Sequence, residues 1–486
     1  MASIKKNFLF TASYQLVNVL VVLITAPYVS RALGAEMLGT YTYSFTLAGY
    51  FLLFAGLGFS LHGKRTIAAT RDDREGASRA FVEVYVFQLI ISIFVAVVYL
   101  VYVLFFAEVV FRYLLLAQCF YVISSIADIS WLFFGMEKFQ TTTIRNFIIK
   151  ILTAAATFIF VKTPDDTVLY AVIMAVGTLL SQIVLWIGVP KLVDFKREYW
   201  KFNFTHLKKS LFLFIPVIAI SLYTSMDKLM LGSMSSMKEL AFYENAYKVI
   251  TIPISLITAF ETVMLPRMVN LTAKSDEKQV NKMVDGSFSI VTMIGAPMTC
   301  GLVAISELLT FVMFGIEYEK TGVIMMILSV IILIASWAGI IRKEIIVPRY
   351  MDKSYAISVF CGAIMNLSLN FILIPYLGAI GAAIATIAAE ASVCIYQLIV
   401  TRKMQPYGKY VKNNLPFLIA SIVMGAIVYV VAKLLPSTVL SLLLAIFVGV
   451  VIYAIMFVLI MKITGKSLKD NVLFAKKEGA DEINSK

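Results

Sequence analysis

The chain has 486 residues, of which 60% are hydrophobic and 15% charged, and its mean hydropathy is +0.88. Apolar runs of about 20 residues recur from end to end, each long enough to cross a bilayer as a helix; they exclude a water-soluble domain and, being continuous rather than alternating, a membrane β-barrel. The net charge of +13 does not point to nucleic acid, because the cations sit in short connections between apolar runs, where they orient a membrane protein.

Fourteen spans are predicted, at 8–30, 38–61, 80–106, 109–134, 142–161, 167–189, 209–232, 240–265, 286–314, 321–341, 354–376, 379–401, 414–434 and 438–462. The first follows Lys5 and Lys6 as a signal sequence would. Its apolar run is too long for a signal core and ends without a small-x-small cleavage pattern, so it is expected to be a retained span. With the N-terminus inside, all but eight of the 42 basic residues fall in the predicted cytoplasmic connections. Arg65, Arg145, Arg267 and Arg342 are among them. A wrong span count would break that alternation, so both termini are expected to be cytoplasmic.

The connector Pro190–Lys208 interleaves Phe195, Tyr199, Trp200, Phe202 and Phe204 with lysines. That pattern suits a segment lying at the inner membrane interface. On either side of it the sequence echoes itself: LGTYTYSF at 38–45 matches LAFYENAY at 240–247. The expected architecture is all-α and integral to the membrane. An N-terminal six-helix bundle (1–189) and a C-terminal one (209–401) would be pseudo-symmetric about a central cavity. The connector (190–208), two additional helices (402–465) and a cytoplasmic tail (466–486) complete it.

No connection is long enough for a soluble catalytic domain, and no GxxxxGK[ST] phosphate loop is present, so neither an enzyme nor an ATPase is expected. The four cysteines, Cys119, Cys300, Cys361 and Cys394, stand singly in apolar segments and read as small buried hydrophobes. His62 and His206 lie at helix ends, where no partner is expected, and neither a metal nor a cofactor is anticipated. Charge is concentrated instead in Tyr223 to Arg267, an apolar stretch that carries Asp227, Lys228, Glu244, Lys248 and Glu261. Charges within hydrophobic helices are costly in lipid and face a protein interior or a wet cavity.

Seven motifs then stand out in order: PYVSRALGAEMLGTYTYSF (27–45), HGKRTIA (62–68), WLFFGMEKFQ (131–140), MDKLMLG (226–232), FYENAYKV (242–249), VMLPRM (263–268) and GAIGAAIATIAAE (378–390). Together they resemble the Wzx-type oligosaccharide flippases, the polysaccharide-export group of the multidrug, oligosaccharidyl-lipid and polysaccharide exporter superfamily. The resemblance implies transport of an undecaprenyl-pyrophosphate-linked oligosaccharide from the inner to the outer leaflet of a bacterial cell membrane, by alternating access, for capsule or exopolysaccharide synthesis. It also implies membrane lipids, a coupling H+ or Na+, a polysaccharide polymerase and glycosyltransferases as partners.

Such a cargo needs cations for its diphosphate. Lys248 lies eight residues into its span, roughly 12 Å deep at ~1.5 Å per residue, and is expected either to face the cavity or to pair with Glu244 one turn earlier. Arg31 and Lys228, equivalent in the repeat, are expected at the outer mouth, and Arg65 and Arg267 at the inner one. Asp128, Glu390 and Glu244 are the candidate coupling carboxylates, since burial favours protonation. Pro27, Pro216, Pro253, Pro266 and Pro297 are candidate bending points. A small-molecule antiporter on the same scaffold is disfavoured because the first span offers Gln15 and Asn18 but no carboxylate. A peptidoglycan-precursor flippase would carry more arginine than Arg31 between Lys6 and Arg65, and a polysaccharide polymerase would need a large outer loop.

Overall fold

The first helix, α1 (Ala2–Gly56), is interrupted at Gly34, whose φ of 71° and ψ of 170° are not helical. Only glycine occupies that region without strain. The break therefore divides α1 into the two limbs expected at 8–30 and 38–61. The computed structural model describes the backbone of residues 2–464 and the side chains of 21–460 and 462, except those of 216, 222 and 223. The expectations for Lys5, Lys6, Gln15, Asn18, Pro216 and the tail at 466–486 lie outside these described residues.

After a second left-handed glycine, Gly58 (φ 75°), comes the short α2 (Phe59–Thr70). Helix α3 (Arg74–Phe105) is capped by Asp73, whose carboxylate accepts from the Glu75 amide at 3.0 Å. The next pass is α4 (Val109–Ala127) followed by α5 (Ser130–Gly135). A hairpin of α6 (Phe139–Phe160) and α7 (Thr167–Trp186) turns through Asp166, whose carboxylate takes the amides of Lys162 and Thr163 at 2.9 and 2.8 Å.

Beyond the connector, Asn203 caps α8 (Phe204–Met234), which is followed by α9 (Met237–Ala273). Asp276 caps α10 (Glu277–Phe314), which stops at Gly315 with φ 93°. One further pass is built from three pieces: α11 (Glu319–Leu328), α12 (Ile331–Ile340) and a π turn over Ile341–Ile346. The chain ends its described course in α13 (Asp352–Leu377), α14 (Ala379–Thr401), α15 (Tyr407–Leu434) and α16 (Val439–Thr464).

Among the described residues, 13 helical stretches are long and apolar enough to cross a membrane. One of them, Val21–Thr70, contains the Gly34 break. Counting its two limbs separately gives the fourteen passes read from the sequence. Pro253, Pro266 and Pro297 lie inside α9 and α10, and Pro27 lies in the first limb of α1, before the Gly34 break.

The chain divides into two compact units. The first comprises Met1–Glu244 with Ile374–Ala379, the second Asn245–Leu373 with Ile380–Lys486. Along the sequence the boundary falls inside α9, and the connector at 190–208 lies wholly within the first unit. The α13–α14 turn belongs to that unit too, where the Ala379 amide donates to the Glu239 carboxylate at 2.7 Å.

In unit one, α4 packs on α1, α3 and α7, and α2 packs on α5. Phe59, Ile67, Phe81, Trp131, Phe133 and Tyr199 form a core of large side chains there. Gly63 admits the Trp131 ring, which a Cβ would meet at 2.5 Å. The indole N–H donates to Gln88 Oε1 at 2.9 Å, and Gln88 Nε2 donates to the carbonyls of Ser125 and Asp128 at 3.0 and 2.7 Å. The indole and side-chain amide donors of Trp131 and Gln88 are thus satisfied where α4 gives way to α5. In unit two, α10 is the hub, packed on α11, α12, α15 and α16.

Candidate functional site

The charged stretch singled out in the sequence folds into the end of α8 and the start of α9. Lys228 Nζ lies 2.8 Å from Glu244 Oε2, with the two side chains only 18% and 12% exposed. Asp227 beside it is buried. One of its carboxylate oxygens accepts the Lys228 amide at 2.9 Å and the other accepts the Tyr243 hydroxyl. From α1 and α7, Tyr41 and Tyr170 come together with ring centroids 4.6 Å apart, and Glu244 is an electrostatic neighbour of both.

Two glycines permit this approach. A Cβ on Gly39 would meet the Met237 carbonyl oxygen at 1.8 Å, and one on Gly232 would meet the Tyr43 ring at 2.3 Å. The result is a cluster of two acids, one lysine and several tyrosines inside a helical unit. It can present a cation and hydroxyl donors to an anionic or polyhydroxylated group.

The remaining candidates are dispersed. Arg31, Arg65 and Arg267 are exposed, whereas Lys248 and Glu390 are half-buried. Asp128 does not stand free within a span: it sits in the break between α4 and α5, where its carboxylate accepts the Ser130 amide at 3.0 Å. It lines a cavity of about 230 Å³ in unit one together with Gln88, Ser124, Ser125 and Gln182. Arg145 is buried, donating to the Ser181 carbonyl at 2.6 Å and to Gln182 Oε1 at 3.2 Å. That position ties α6 to α7.

The expectation that the histidines lack partners is corrected. His62 Nε2 lies 2.8 Å from His206 Nδ1, and His206 Nε2 lies 3.0 Å from Glu83 Oε2. The three side chains link α2, α8 and α3. Residues far apart in sequence make this relay, so reading each helix end by itself could not reveal it.

In unit two the buried Glu261 is 3.1 Å from Lys343 Nζ. Gly339 leaves room for it, since a Cβ there would meet Glu261 Oε1 at 2.2 Å. Glu344, next to Lys343, is fully buried in the π turn. Sequence reasoning passed over it because Arg342-Lys343-Glu344 looks like a polar connection after an apolar run; only the π turn carries it inside. Among the described residues no group of three or more His, Cys, Asp or Glu side chains is placed to hold a metal ion.

The sequence profile of the polysaccharide biosynthesis protein family matches residues 4–272. The putative O-antigen transporter of Escherichia coli (strain K12) is 24% identical over 410 residues, covering 82% of this chain and 97% of that one. The probable low-salt glycan biosynthesis flippase Agl15 of Haloferax volcanii is 23% identical over 261 residues, covering 52% of this chain and 53% of its own. Among solved structures, the lipid II flippase MurJ in an inward closed conformation superimposes with a TM-score of 0.76 at 16% identity, over 94% of this chain and 100% of that one. That likeness is one of fold. With its many apolar helices and a family match over more than half its length, this multi-pass membrane protein belongs to the polysaccharide biosynthesis protein family, the Wzx-type group its motifs resemble.

Proposed function

We propose that the chain flips an undecaprenyl-pyrophosphate-linked oligosaccharide from the inner to the outer leaflet of a bacterial cell membrane, with both termini cytoplasmic. The coarser reading, a flippase for polysaccharide synthesis, draws support from the relatives named as O-antigen transporter and glycan biosynthesis flippase. The observation that carries the finer one is the Lys228–Glu244 and Asp227–Tyr243 cluster, charge and hydroxyl groups held inside apolar helices. A diphosphate and its sugars cross hydrocarbon only at great cost unless their charge and hydroxyls are met by polar partners. The polyprenyl tail needs no such help and stays in lipid. Arg31, Lys228, Lys248, Arg65 and Arg267 are the proposed cations of the path, and Asp128, Glu390 and Glu244 the proposed coupling carboxylates.

The test is complementation of a strain whose own polysaccharide flippase is deleted. The chain restores surface polymer, and lipid-linked repeat units no longer accumulate in the inner leaflet. Lys248→Glu, expressed at the wild-type level, abolishes surface polymer. Normal display by that variant removes Lys248 from the path.

A further inference from the structure

Glu344 is the most deeply enclosed carboxylate that the preceding reading leaves without a task. Its side chain has no exposed surface, and neither carboxylate oxygen has a hydrogen-bond partner. Ser287 Oγ of α10 faces it without completing a hydrogen bond, and is itself unpartnered. The flanking Ile341, Ile345 and Ile346 are also fully buried.

The neighbouring titratable groups are engaged elsewhere. Glu261 of α9 is paired with Lys343. Tyr410 of α15 donates its hydroxyl to Gln405 Oε1 at 2.5 Å. Asp285 of α10, another electrostatic neighbour of Tyr410, lies 3.6 Å from Lys409 Nζ. Among the described residues no cation pairs with Glu344. An ionised carboxylate in such surroundings has nothing to offset its lost hydration, and a group so placed neutralises instead. A metal cation would need a cage of several oxygen ligands, and among the described residues no group of three or more His, Cys, Asp or Glu side chains is placed to supply one. A proton needs none.

The backbone here is unusual as well. The π turn at Ile341–Ile346 runs straight into a 3-10 turn at Val347–Arg349, and Tyr350 then takes a left-handed φ of 55°. π turns widen a helix by one residue and recur at functional sites. Rewinding this one to α geometry would rotate Glu344 relative to the α10 and α15 surfaces it now faces.

We propose that Glu344 is a proton-binding site of unit two, protonated while enclosed and deprotonated when the π turn rewinds and admits water. Its use in driving transport rests on the flippase reading; its protonation does not. The full-length protein in membrane vesicles is treated with dicyclohexylcarbodiimide, an apolar reagent that adds to protonated carboxyls. The peptide holding Glu344 gains the adduct, with a yield that falls as pH rises, while the Lys343-paired Glu261 stays unlabelled. No adduct at Glu344, a yield independent of pH, or preferential labelling of Glu261 overturns the proposal.

Glu344→Gln, which mimics the protonated carboxyl, supplies a second measurement. The purified variant unfolds at the wild-type temperature at neutral pH, yet surface polymer in the complemented strain is largely lost. A lowered unfolding temperature would mean that a charged carboxylate had been holding the fold, which overturns the protonated state; normal polymer would mean that its titration is unused, which overturns its role in transport. Should the wild-type chain itself fail to restore polymer, the flippase reading falls while the labelling result stands.

Discussion

Lys228 and Glu244 are each only slightly exposed, so removing one takes a close counter-charge from the other inside helical surroundings. Breaking an enclosed pair costs about 3–5 kcal/mol, and the small residual exposure puts this one at the lower end. Lys228→Ala should therefore lower the thermal unfolding temperature of the purified protein by several degrees. The double change Lys228→Met with Glu244→Leu should recover most of that loss, because both charges leave together. The sequence marked every member of this cluster by its presence in an apolar stretch. It could not show the tertiary contact. The i, i+4 rule points only along α9, to Lys248, whereas the contact of Lys228 with Glu244 is made across the α8–α9 hairpin. The His62–His206–Glu83 relay was invisible for the same reason, since tertiary contacts leave no local spacing.

At the scale of elements, Gly34 is the position where α1 changes course. Gly34→Ala forces a Cβ into a region of φ and ψ that costs about 1–3 kcal/mol for other residues. The expected outcome is a lower folded yield in detergent and a lower unfolding temperature. The fourteen passes were legible because apolar length and the alternation of cationic connections are both one-dimensional signals. Breaks within passes were not. The α4–α5 step at Asp128 and the α12–π junction at Glu344 arise where side-chain packing outweighs helical continuity. No periodicity announces them: Asp128 sits at one, in the inner part of its predicted span, and Glu344 at the other, beyond the predicted end at 341.

For the whole molecule, the connector is fastened rather than loose. Arg74 grips Asp194 with two nitrogens, at 3.0 and 2.7 Å, and also reaches the Pro190 carbonyl at 3.2 Å. The Asp194 amide in turn donates to Ser78 Oγ at 2.8 Å. Tyr199 is buried in the first unit, while Trp200, Phe202 and Phe204 stay exposed, as side chains dipping into headgroups would. Hydrogen bonds from the Arg74 guanidinium hold the Asp194 carboxyl below the ordinary aspartate range. A depressed carboxylate stabilises fully above its unfolded value, about 3.9, and loses that contribution as pH falls through the folded value. Hydrogen exchange across 190–203, taken relative to the intrinsic rate at each pH, should thus stay slow at neutral pH and quicken only in acid. Asp194→Asn should quicken it at neutral pH.

The acid beside Lys228 carries one more implication for a cargo bearing phosphate. If Lys228 meets the cargo as proposed, an anion docking on that ammonium shares it with a resident carboxylate, which competes for the same charge. Grip is capped from within, so a site built this way favours prompt surrender over tenacious capture. A carrier that must let go on the far side gains more from that than from a naked cation, which would hold its passenger and stall.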